Sequence, residues 1–151
     1  MIHTATNVRN TLESLMEICL DGSKGYEAAA SAVKDTGLKA ELMQYSMQRD
    51  EFALQLEDGI TALGEPAWDH GSIAGSLHRA WIGVKGALTS HDAHAVLAEC
   101  ERGEDSAVEA YQQAISHDLP SPVRDMVELQ YDAVRRVHDR IKSLRDASKK
   151  D

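Results

Sequence analysis

The stretch Leu97-Ala-Glu-Cys100-Glu-Arg-Gly-Glu104-Asp-Ser-Ala107-Val108-Glu-Ala-Tyr111-Gln-Gln-Ala-Ile115 reads as one amphipathic helix with a charge at the centre of its apolar face. At about 100° per residue, Leu97, Cys100, Ala107, Val108, Tyr111 and Ile115 share an arc. Glu104 projects within about 20° of the middle of that arc, and Glu101 lies at its edge. A carboxylate there has to be paired, metal-bound or protonated. A second stretch poses the same problem with the opposite sign. Leu38, Leu42, Tyr45, Phe52, Ala53, Leu56, Ile60 and Leu63 form an arc centred close to Arg49.

The same periodicity runs outward in both directions. Val8, Leu12, Leu15, Met16, Cys19, Tyr26, Ala30 and Val33 define a helix over 6–33, in which Gly22 and Gly25 imply a bulge, a break or close approach by a neighbour. Asp35, Thr36 and Gly37 form a turn, so the helix over 37–63 is antiparallel to the first and ends at Gly64 ahead of Pro66. Residues 65–90 form a long crossover with its own short helix over 72–89, capped by Ser72 and bearing Ile73, Leu77, Trp81, Val84 and Leu88. Ser90 is the expected N-cap of the helix over 91–117. Ser121 and Pro122 are expected to open the last helix over 121–147, which turns Val123, Val127, Val134, Val137, His138, Ile141 and Leu144 inward.

The fold class is therefore all-α: one domain over 1–151, a ferritin-like four-helix bundle with a long crossover between helices two and three. Counting from the turns puts Gly22 and Ser23, Arg49, Glu104 and the segment from Gln130 to Val134 at one level, with Glu101 close to His138.

Composition narrows the function classes. A net charge of −9 argues against nucleic acid and anionic lipid as partners, since either needs a basic face. No apolar run approaches a membrane span, and the stretch from Met1 to Asn10 has neither a basic start nor an apolar segment, so a cytoplasmic location is expected. Cys19 and Cys100 fall on apolar arcs at different levels and read as core thiols, with no disulfide or zinc spacing. Ser72 and Ser76 have no nucleophile context, and there is no phosphate-cradling glycine loop.

Two chemistries compete for the buried layer. In the first, Arg49 makes a bidentate contact to Glu104 or Glu101, with Gln130, Tyr131 or His138 satisfying the remaining oxygens; the protein then has no cofactor and no catalytic residue. In the second, Glu101, Glu104 and His138, approached by Glu27, hold iron or manganese. Di-metal bundles carry carboxylates on two helices and Glu-x-x-His on the others. This chain departs from that pattern on every helix but the third: Asp21 points away from its arc, Arg49 is a permanent cation, and Glu128-Leu-Gln-Tyr131 has an outward Glu and no His. The first reading is preferred. Elsewhere, His78 with Trp81 and the pair His91 and His94 read as surface groups. Met43, Met47 and Leu54 form a second apolar strip, covered by the crossover or forming a homo-oligomer seam.

The segments Cys19-Leu-Asp-Gly-Ser-Lys-Gly-Tyr26, Gln48-Arg-Asp-Glu-Phe52, Gly75-Ser-Leu-His-Arg-Ala-Trp81, Glu99-Cys-Glu-Arg-Gly-Glu-Asp105 and His138-Asp-Arg-Ile-Lys-Ser-Leu-Arg145 resemble a bacterial family of ferritin-like four-helix-bundle proteins of unknown function. The resemblance spans nearly the whole chain. It implies the fold and a bacterial cytoplasm, and it carries no activity. The wider ferritin-like group includes metal oxidases and stress-associated proteins; with the preferred reading of the Arg49 layer, the expectation is a non-enzymatic bundle, with stress adaptation as its role.

Overall fold

The computed structural model describes residues 5–64 and 92–148, with side chains from Asn7 onward. It contains four long helices: α1 (Ala5–Ala32), α2 (Thr36–Ala62), α3 (Ala93–Ser116) and α4 (Ser121–Ala147). Among the described residues there is no strand. The four long helices fall within two residues of the ranges expected from periodicity. The short helix expected over 72–89, with Ser72, His78 and Trp81, lies outside the described residues, as do Ser90 and His91.

Local chemistry explains where each helix begins and ends. The Asp35 carboxylate accepts a hydrogen bond from the Leu38 amide at 2.8 Å, which satisfies one of the otherwise unpartnered donors of the first turn of α2. At the other end, the amides of Leu63 and Gly64 return to the carbonyls of Ile60 and Thr61 at 3.1 and 3.0 Å. Gly64 sits at φ 77°, a left-handed conformation that a Cβ would strain. The cap of α3 is Asp92 rather than Ser90, its side chain accepting from the His94 amide at 3.0 Å; a carboxylate also suits the positive end of the helix dipole. The cap of α4 shifts the other way, to one residue before the expected Ser121. Pro120 is the capping residue and offers no side-chain cap bond, while Pro122 falls in the first turn, where a missing N–H costs nothing.

Contacts between helices give their directions. Cys19 meets Tyr111 while Tyr26 meets Glu104, so α1 and α3 are antiparallel. Gln130 reaches Phe52 and Arg140 reaches Glu41, so α2 and α4 are antiparallel too. With the short turns within each hairpin, α2 and α3 therefore run the same way. Neighbouring pairs are α1 with α2, α3 with α4, α1 with α3 and, more lightly, α2 with α4. It follows that α2 and α3 occupy opposite corners of the bundle.

The apolar core is in two parts. One cluster, with Leu12, Met16, Cys19, Leu56, Ile60, Tyr111 and Val127, fills one end. The other, with Tyr26, Val33, Leu42, Leu97, Cys100, Val137 and Ile141, fills the opposite end. Every residue of the α1 arc from Val8 to Val33 is buried. Between the clusters lies a polar layer.

The caps set a testable scale for this architecture. Gly64→Ala is expected to lower stability by about 1 kcal/mol because of its positive φ, and Asp35→Ala by about 1 kcal/mol through the lost cap. Urea melts of the two variants measure both, and an unchanged midpoint for Gly64→Ala would contradict the assigned helix end.

Candidate functional site

Arg49 and Glu104 are 1% and 0% exposed, yet they come from helices on opposite corners of the bundle. The Arg49 side chain spans that diagonal. Its Nη1 donates to Glu104 Oε2 at 2.9 Å and its Nη2 donates to Oε1, the two-pronged geometry in which a guanidinium fits a carboxylate. The Tyr26 hydroxyl donates to the same Oε1 at 2.7 Å. Arg49 Nε donates to Gln48 Oε1 at 3.2 Å.

Space and packing are matched to this group. A Cβ at Gly22 would lie 3.5 Å from Arg49 Nη1, an ordinary van der Waals distance, so the arginine head group packs against α1 here without requiring the glycine, and α1 runs unbroken through both glycines. The guanidinium carbon stands 5.6 Å from the Tyr26 ring centroid, and that ring packs edge-on against Tyr45 with centroids 5.5 Å apart. Nearby, Ser46 Oγ donates to the Ser23 carbonyl at 2.8 Å, which ties α1 to α2 one turn from Arg49.

A second polar chain adjoins the layer. Tyr111 donates to Gln130 Oε1 at 2.6 Å, and its oxygen lies 3.2 Å from Cys19 Sγ, so the thiol is the donor in that contact. Gln130 Nε2 then reaches Gln55 Oε1 at 2.9 Å and the Phe52 carbonyl at 3.3 Å. The chain satisfies a buried amide and a buried phenol at once.

Electrostatics follow from burial and pairing. Burial alone would push the Arg49 guanidinium down, but the Glu104 carboxylate outweighs it and holds the cation protonated. Burial and then the Glu104 charge push the Tyr26 phenol up. Burial raises the Cys19 thiol to about 11 and the Cys100 thiol well above the usual range, so both are inert as nucleophiles.

The expected participants divide sharply. Arg49 and Glu104 form the predicted bidentate pair, but the third partner is Tyr26, not Gln130, Tyr131 or His138. Tyr131 is half-buried, its ring packed against the apolar cluster and its hydroxyl accepting from Gln112 at 3.0 Å. Glu101 pairs with Arg145 of α4 rather than with Arg49, and its side chain is 12% exposed. His138 is half-buried with its nitrogens on Asp105 and Asp139 at 2.7 and 3.2 Å; burial would lower its pKa, but these bonds outweigh it and raise it. Glu27 is exposed and approaches neither acid. Asp21, expected to point outward, is buried, because α1 is covered on two sides by α2 and α3. His94 is not a solvated surface group, since its Nδ1 lies 3.1 Å from both the Arg145 carbonyl and Ser148 Oγ at the end of α4.

Tyr26, Ser23, Ser46 and Tyr111 were missed as polar partners. A hydropathy period counts tyrosine as apolar, while its hydroxyl still needs a partner when buried. Tyr26 lies one turn from Gly22 on the same arc, and that spacing was the available signal.

The fold and site together define an all-helical bundle whose centre is closed by a buried guanidinium–carboxylate pair. A family model, the domain of unknown function DUF2383, matches residues 7–117, and the chain belongs to this family. Tyr26, Arg49 and Glu104 all lie inside the matched span, whereas Gln130, His138 and Arg145 on α4 lie beyond it. No curated protein matches the chain.

Two outcomes follow from the buried layer. Arg49→Ala is expected to cost about 3 to 5 kcal/mol, because it strands a carboxylate in the core. The combined change Arg49→Met, Glu104→Leu, Tyr26→Phe removes every member of the network and is expected to cost far less; equal losses in denaturant melts would refute the pairing. The second outcome concerns alkaline pH. A group whose folded pKa is raised binds more protons in the native state, so its stabilisation is complete below the unfolded value and is lost as pH rises. For Cys19 that window opens at the ordinary thiol value of 9.0 and closes at about 11, and Tyr26 and Tyr111 extend it above the ordinary phenol value of 10.0. Each such group removes about 1.4 kcal/mol per pH unit inside its window. Urea melts across this range should show a steep loss, and the pair Cys19→Ala, Cys100→Ala should flatten its first limb.

Proposed function

We propose that this chain is a ferritin-like bundle in which the Arg49–Glu104–Tyr26 network stands where a di-metal layer would otherwise be, and that it acts without catalysis, through its surface and as a homo-oligomer. The observation that carries this reading is the bidentate seat of Arg49 on Glu104. A metal at Glu104 would have to displace a guanidinium and then lie beside its charge. The parallel course of α2 and α3 supports the ferritin-like connection. Homo-oligomerisation is supported by an exposed apolar strip on α2, where Met47 and Leu54 are 65% and 62% exposed beside Met43. A role in stress adaptation in a bacterial cytoplasm rests on family resemblance alone.

The alternative, a redox bundle using iron or manganese at Glu101, Glu104 and His138, has one observation in its favour: Glu101 and His138 come together on the α3/α4 flank. Against it, Glu104 belongs to Arg49 and Glu27 faces solvent.

Elemental analysis of protein produced with added iron and manganese tests the reading. The same metal content is expected in the parent and in Glu104→Ala, whereas ions bound by the parent and lost on that substitution would overturn the proposal. Sedimentation equilibrium should give a mass above the 16.6 kDa of one chain, and Met47→Lys with Leu54→Lys should reduce it to one chain. A parent at the single-chain mass would overturn the homo-oligomer.

A further inference from the structure

Glu101 and Asp105 are one helical turn apart on α3, and the antiparallel α4 sets His138 against them. One ligand atom from each of the three lies within 4.8 Å of the others. Ligand atoms about 2 Å from a tetrahedral ion stand about 3.4 Å apart, so side-chain torsion alone closes the remaining distance. We propose that Glu101, Asp105 and His138 form a three-ligand site for a divalent transition-metal cation of the zinc type, with Arg145 as a built-in counter-ion that the cation displaces.

The imidazole is already oriented for this task. His138 Nε2 faces Asp105 Oδ1 at 2.7 Å, and Nδ1 faces Asp139 Oδ1 at 3.2 Å. A ligating histidine commonly sets its second nitrogen on a carboxylate, which fixes the ring and its tautomer. Asp139 supplies that support from outside the ligand set. On taking the cation at Nε2, His138 releases to solvent the proton that faces Asp105, the metal–nitrogen bond takes its place, and Nδ1 keeps its proton toward Asp139.

Charge favours a dication. Glu101, Asp105 and Asp139 bring three negative charges and Arg145 one positive charge. Arg145 is bound to Asp146 at 3.0 Å as well as to Glu101, and at 33% exposure it can leave Glu101 while keeping its other partner. Asp105 is 62% exposed, which leaves the outer side of the site open to a water as fourth ligand. An imidazole with two carboxylates selects zinc-like ions over magnesium, which prefers oxygen alone and holds its own water. The site lies apart from the Arg49 layer and involves neither Arg49 nor Glu104, so its existence does not depend on the core reading.

Isothermal titration of the full chain with zinc chloride, alongside magnesium chloride, tests the proposal. One zinc per chain is expected, with His138→Gln and Asp105→Asn each weakening binding by about tenfold or more and Arg145→Gln tightening it. Asp105, His138 and Arg145 belong to neither apolar cluster, so circular dichroism should show intact helices in all three variants. The chain has seven histidines, so His94→Gln serves as a control and should leave the isotherm unchanged. Zinc binding unaffected by His138→Gln, binding lost in His94→Gln instead, or magnesium binding as tight as zinc would each overturn the site. The core reading fails through metal lost at Glu104, and this one through metal kept without His138, so the two failures are distinct.

Discussion

A guanidinium and a carboxylate, both withdrawn from water, meet across the diagonal of the bundle, and the placement of the other parts follows from that. Desolvating each ion costs several kcal/mol, so the pair need not stabilise the fold over apolar residues of the same volume. What it does impose is uniqueness. A one-residue slip of α2 would turn Arg49 by about 100° and strand Glu104 in an apolar core. Because Tyr26 donates to the same carboxylate, the constraint covers α1, α2 and α3 together. The fourth helix is brought in separately, through Gln130 and its bonds to Tyr111, Gln55 and Phe52.

Small residues surround the layer. Gly22 costs α1 about 1 kcal/mol of helix propensity relative to alanine, and it lies where the arginine head group packs. Ser23 and Ser46 let α1 and α2 approach closely while bonding to each other. Gly103, next to Glu104 on α3, is also buried. On either side of this thin, polar belt, the core returns to Leu, Val, Ile and Ala, with Tyr26 and Tyr111 at the boundaries. Each tyrosine turns its ring to an apolar cluster and its hydroxyl to the belt. That arrangement explains why so aromatic-poor a chain places two of its four tyrosines at full burial.

Much of this was legible from periodicity. The arcs of the four helices, the antiparallel hairpins and the misfit of Arg49 and Glu104 all follow from a residue every 100°, and their mutual bond follows from charge. What periodicity misjudges is the edge of an arc. Glu101 and His138 sit at such edges, and there a rotation of about 20° separates core from flank; both turned out to face each other on the α3/α4 side. Asp21 failed for a different reason. A helix covered by two neighbours buries a wider stripe than its strongest apolar residues outline, and α1 is covered by α2 and α3. The choice of Tyr26 over Gln130, Tyr131 and His138 as third partner needed the distances between helices, which a one-dimensional pattern does not contain.

The closure of the central layer bears directly on where the protein can act. Three hydrogen bonds fill the oxygens of Glu104, the guanidinium fills the space between α2 and α3, and the thiols nearest to it are held protonated by burial. A substrate or ion entering there would have to separate a charge pair and leave both members unpaired in a low-dielectric interior, at a cost of several kcal/mol. The exterior has no such barrier. On the α3/α4 flank the carboxylates and the imidazole are within reach of solvent, and their counter-ion has a second partner to fall back on. On α2, methionine and leucine face outward at helical spacing, where association with another copy would cover apolar surface without breaking any polar contact. In this bundle the buried charges set the register, and the chemistry and contacts open to other molecules lie on its surface.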